Sequence, residues 1–120
     1  MAMVLLSGDL MGASRVEGAA RLAGVDYSMV GSVAAAVELC TTKSVALVAV
    51  DLATSGVNVG DLVEQLKQAE HTPAVIAFGP HVHEAKLQAA KAAGCDVVLS
   101  RGQFMSQVDT LIRQHATADE

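Results

Sequence analysis

Ser44-Val45-Ala46-Leu47-Val48-Ala49-Val50-Asp51 is the most apolar run of the chain, and it ends on a carboxylate. A continuous Val/Leu/Ala run of this length suits a strand covered on both faces, as parallel strands are. In open α/β sheets the chemistry sits in the crevice beyond the carboxyl ends of the strands. Asp51 is therefore expected at the functional end of a buried central strand.

Four more apolar runs share this character: Met3–Ser7, Asp26–Val30, Ala74–Phe78 and Val97–Leu99. With Val45–Val50 they alternate with helix-like segments at about 11–23, 32–42, 59–70, 82–93 and 103–115. Phe104, Val108, Leu111 and Ile112 recur at helical spacing and form one apolar stripe, as do Leu62, Val63 and Leu66. The first and fourth helices rely on alanine instead, in Ala19-Ala20, Ala89-Ala90 and Ala92-Ala93. A short echo, Ala23-Gly24-Val25-Asp26 and Ala93-Gly94-Cys95-Asp96, marks two helix ends, because glycine takes the left-handed conformation that terminates a helix. Pro73 is expected to open the fourth strand, where its missing N–H does no harm. His115–Glu120 is polar and is expected to fray.

The 120 residues suit one domain, 1–120, able to bury roughly two thirds of its unfolded surface without disulfides or metal. The interior must be built from small aliphatic residues, since Tyr27, Phe78 and Phe104 are the only aromatics. With a net charge of −5 and its eight Lys and Arg residues scattered, the chain offers no basic stripe for a phosphate backbone. Three aromatics also make a base-stacking platform hard to assemble, so nucleic-acid binding is not expected. No apolar run approaches the ~20 residues that span a bilayer, and no secretory pattern opens the chain. Membrane association is not expected, and the cytoplasm is the expected compartment. Cys40 and Cys95, far apart in sequence, read as buried reduced thiols.

The order and length of these elements, the Asp51 that ends the third strand and the Ala-Gly-x-Asp step before the fifth resemble the receiver domain of bacterial response regulators, over essentially the whole chain. The resemblance implies an α/β, flavodoxin-like (βα)5 three-layer sandwich with parallel strand order 2-1-3-4-5. It places Asp51 at the phosphoacceptor position. Counting back from Gly24, the two adjacent acids that hold Mg2+ in the family fall on Ser7 and Gly8, with Asp9 one place later. Mg2+ demands near-octahedral oxygen geometry at about 2.1 Å, so one residue of displacement matters. Asp9 reads instead as an N-terminal acid or cap of the first helix. The hydroxyl donor at the end of strand four falls on Gly79, and the family's lysine on Arg101, followed by Gly102 where a cis proline is expected. Arg101 is expected either to pair with Asp51 and close the pocket or to bind an oxyanion.

The loop Leu52–Gly60 reads as flexible, although Thr54, Ser55 and Gly56 offer an anion cradle. His71, His81 and His83 lack the spacing of a metal site and read as exposed, the last two in the first turn of helix four. Gly8-Asp9-Leu10-Met11-Gly12 lacks the full dinucleotide fingerprint.

What the resemblance implies is a degenerate pseudo-receiver in two-component signalling. It would be a non-enzymatic module that meets a protein partner, or a second copy of itself, through helix four, strand five and helix five, at Ala85–Ala93 and Phe104–Ile112. No cofactor is then needed. The alternative is a working phosphoacceptor, in which a histidine kinase phosphorylates Asp51 and Mg2+ is held by Asp9 and Asp51. A third reading is a small-ligand sensor that uses the same crevice. With no element after helix five, any signal is expected to leave by association with another protein.

Overall fold

The computed structural model describes residues 1–116. Strands and helices alternate in the order β1 (Ala2–Leu6), α1 (Leu10–Leu22), β2 (Asp26–Val30), α2 (Val33–Thr42), β3 (Val45–Asp51), α3 (Val59–Leu66), β4 (Ala74–Gly79), α4 (Glu84–Ala93), β5 (Val97–Ser100) and α5 (Arg101–His115). All five strands pair in parallel in one sheet of order β2-β1-β3-β4-β5. This is the α/β flavodoxin-like arrangement expected from the sequence.

Side-chain alternation divides the sheet into two apolar layers. Met3, Leu5, Leu47, Ala49, Ile76 and Phe78 pack with α1 and α5 residues such as Val16, Phe104, Val108 and Ile112. Val4, Leu6, Val48, Val50, Val75 and Ala77 pack with α2, α3 and α4 residues such as Ala36, Leu62, Leu66 and Ala90. The period of two along a strand decides where the polar tips fall. Ser7 continues the Met3, Leu5 series and Asp51 the Leu47, Ala49 series, so both belong to the α1/α5 layer. Phe78 and Phe104 stack there with ring centroids 4.0 Å apart and planes 2° from parallel, which fixes the first turn of α5 against the end of β4.

The helix ends follow local chemistry. Asp9, Ser32, Asn58 and Ser100 each cap a helix by accepting a backbone N–H. Ser100 and Gln103 form a reciprocal capping box, which starts α5 at Arg101, two residues earlier than expected. Gly24 and Gly94 adopt φ of 73° and 95°, the left-handed conformation anticipated from the echo. Helix α3 ends at Leu66 rather than at residue 70, because Lys67–Glu70 brings no buried side chain to hold another turn. His81 and Val82 lie in the turn before α4, and His83 stands at its N-cap position without a side-chain cap. Pro73 is buried immediately before β4. Of the tail expected to fray, His115 closes α5 and residues 117–120 lie outside the described residues.

Candidate functional site

At the carboxyl end of the sheet Asp51 is only 3% exposed, and both its oxygens are occupied. The Ser7 hydroxyl donates to Oδ2 at 2.8 Å, and the Ala53 N–H donates to Oδ1 at 3.0 Å. Ser7 Oγ in turn accepts the Asp9 N–H at 3.0 Å, so one hydroxyl ties the turn after β1 to the tip of β3. The loop beyond Asp51 is anchored as well. Leu52 N–H donates to the Phe78 carbonyl at 2.8 Å, and Thr54 N–H donates to the Asp51 carbonyl at 3.0 Å.

Arg101, the first residue of α5, reaches over this tip. Its Nη2 forms a close ion pair with Asp9 Oδ2, and its Nη1 lies 4.0 Å from Asp51 Oδ2. The expected Arg101–Asp51 pair is thus the longer of two contacts. Asp9 is the nearer partner because, as the N-cap of α1, it projects beside the start of α5, while Asp51 is already held by Ser7 and Ala53. The Asp9 carboxyl is held below the usual range, first by the backbone N–H of Gly12 and then by the Arg101 guanidinium, against an opposing effect of burial, with the N–H of Met11 contributing least. A cleft of about 460 Å3 opens above these groups, and Gly8, Gly31, Thr54 and Ser55 complete its wall. The Thr54 hydroxyl is buried without a hydrogen-bond partner.

No protein-family model and no curated protein sequence matches the chain. Solved structures do. The receiver domain of a sensor histidine kinase from Pseudomonas aeruginosa, with a magnesium ion coordinated in its active-site cleft, superposes with a TM-score of 0.80 at 12% identity, covering 95% of each chain. The receiver domain of a Saccharomyces cerevisiae response regulator, in complex with a histidine phosphotransfer signalling protein, gives 0.74 at 12% identity over 99% of this chain and 93% of the other. An atypical orphan response regulator with a phosphorylation-independent regulatory mechanism gives 0.73 at 14% identity over 98% and 100%. The chain has the receiver fold.

Of the residues that the receiver resemblance singled out, the structure brings Ser7, Asp9, Asp51 and Arg101 into direct contact and sets Gly8 on the cleft wall. Gly79 stands apart. It continues the Val75, Ala77 side of β4, and a Cβ added there would meet Leu52 Cβ at 3.3 Å. Leu52 packs closely against this position and would have to give by a few tenths of an ångström to admit a side chain there. Thr54 and Ser55, read from sequence as part of a flexible loop, line the cleft within a hydrogen-bonded turn.

The donor set fits a receiver's magnesium poorly. Ser7 and Gly8 carry no carboxylate, and the two nearby acids, Asp9 and Asp51, converge on a guanidinium. Among the described residues no three His, Cys, Asp or Glu side chains gather as a metal set, His71, His81 and His83 included. The cysteines differ from expectation. Cys40 and Cys95 are only partly buried, at the margins of the α2/α3/α4 layer. Burial raises the Cys40 thiol, and burial followed by the neighbouring Asp96 pushes Cys95 up to about 11.

Two contributors were not found from sequence. Gly12 lies against the Arg101–Asp9 pair, and Leu52 fills the space beside Gly79. Both act across long sequence separations, and no local motif marks them.

Proposed function

We propose that this chain is a receiver-type signalling module that acts through contact with a protein partner and does not undergo conventional Mg2+-dependent aspartyl phosphorylation. The observation that carries this reading is the engagement of Asp51: a hydroxyl, a backbone N–H and a guanidinium surround a carboxylate that would have to attack phosphorus. Phosphoryl transfer depends on positioning and on cations that neutralise the moving charge. Here the neighbouring acid is already paired with Arg101, and Gly79 offers no hydroxyl to follow a phosphoryl group. The likeness to an orphan regulator with a phosphorylation-independent mechanism supports the same reading.

In this proposal the module is not an enzyme and works in the cytoplasm. Among the described residues no helix is long and apolar enough to cross a membrane. The contact face, including one for a second copy, is drawn from α4, β5 and α5. Phe104, Val108, Leu111 and Ile112 are buried in the core, so the exposed part of that face rests more on Ala85, Ala89 and Ala92 of α4 than the sequence implied.

The test is incubation with Mg2+ and acetyl phosphate, followed by intact-mass measurement. The module is expected to keep its mass. A phosphoryl adduct that disappears in Asp51→Ala would establish the alternative, a conventional phosphoacceptor served by a histidine kinase.

A further inference from the structure

Asp9 and Asp51 approach one another from different elements, yet the group between them belongs to the chain itself. The first turn of α1 passes close beside that group. A Cβ added to Gly12 would stand 2.9 Å from Arg101 Nη2, 2.9 Å from Asp9 Oδ2 and 3.0 Å from the Met105 methyl group. Real Cβ atoms essentially never approach other atoms so closely, so any side chain at position 12 would displace the ion pair or Met105. Glycine weakens a helix relative to alanine, and at this position close approach is what it provides.

Resting on the functional reading above, we propose that Arg101 is a tethered cation that takes the place of a divalent metal between Asp9 and Asp51, and that Gly12 is the residue that admits it. A guanidinium is permanently charged, so the exchange does not depend on pH in the ordinary range. Its attachment to α5 gives it a high effective concentration at the acids, which a dissolved ion must overcome. Mg2+ also surrenders its hydration water reluctantly and needs several oxygen ligands. Ser7 makes good little of the deficit, because its hydroxyl is uncharged and is already engaged, donating to Asp51 and accepting from Asp9 N–H. The native cleft is therefore closed to divalent cations, and the start of α5 stays fastened to α1 whatever the metal concentration.

Mn2+ alone, followed by water-proton relaxation and by thermal melting, tests this in the intact chain. Wild type is expected to show no response at millimolar Mn2+. R101Q should bind Mn2+ at least about tenfold more tightly and regain melting temperature when it is added. The double variant D9N/R101Q should lose that response. G12A, whose Cβ crowds Arg101 Nη2 and Asp9 Oδ2 alike and is expected to loosen their pair without deleting the guanidinium, provides a second opening of the site should R101Q fold poorly.

A wild type that binds Mn2+ as tightly as R101Q would overturn the proposal, as would folded R101Q and G12A that both ignore the ion. The functional reading fails separately. Phosphorylation of Asp51 in a wild type that binds no Mn2+ would sink that reading and leave the tethered cation standing, whereas Mn2+ binding without phosphorylation would do the reverse.

Discussion

The two faces of the sheet solve the same packing problem with different materials. On the α1/α5 face, two stacked phenylalanines, the Val108–Ile112 stripe and the Asp9–Arg101 pair join both helices to the strand tips. On the other face α4 buries only Ala90, and an open groove of about 600 Å3 remains between α3 and α4, walled by Leu52, Val57, Val59, Ala89, Ala92 and Ala93. Alanine permits close approach but covers little area, so the α4 side is the more loosely filled. The polar cleft is built on the tightly joined side. A site whose groups come from α1, β1, β3 and α5 keeps its geometry only if those elements cannot slide.

The contrast is broken most strongly by emptying the firm face. Phe104→Ala removes one member of the stack and leaves a cavity beneath the start of α5, and is expected to cost about 3–5 kcal/mol in urea unfolding. Asp9 and Arg101 should separate as a consequence, visible as a changed Arg101 side-chain resonance.

A smaller loss is expected from Ser7→Ala. It deletes a buried hydroxyl that donates to a carboxylate, for which about 1.5–3 kcal/mol is the usual range. Equilibrium unfolding at neutral pH measures it.

Acid weakens the same side. The Asp9 carboxyl is lowered in the folded chain, so its contribution is complete above the ordinary carboxylate pKa of about 3.9 and is lost as pH falls through the folded value. The stability gap between wild type and Asp9→Asn should be constant at neutral pH and close as pH drops below about 4. Denaturant midpoints across an acid series check this.

The smallest effect belongs to the open groove. Ala92→Leu on α4 adds apolar bulk where there is room and should change stability by no more than about 0.5 kcal/mol. A loss as large as that of Phe104→Ala would show the two faces to be equally filled.

Much of the architecture was legible in the residues. Apolar runs as short and as rich in valine as Val45–Val50 suit covered strands better than helices, and the paired Ala-Gly-x-Asp steps mark where two helices stop. The location of the cleft followed from Asp51 at a strand end. The contacts within it did not. Whether Arg101 chooses Asp9 or Asp51 depends on the path of α1 past α5, and the crowding at Gly12 involves a residue 89 positions later. The early end of α3 at Leu66 was hidden by Lys67–Glu70, whose residues suit a helix but bury nothing.

In the proposals made above, the acids at the sheet's tip are served by an internal cation and are closed to metal and phosphoryl chemistry. Amide spectra of the wild-type chain titrated with Mg2+ and beryllofluoride, a mimic of the phosphoryl group, test both closures at once. The resonances of Gly8, Ala53 and Gly102 are expected to stay in place. A new set of peaks for these residues, absent in Asp51→Ala, would contradict that expectation.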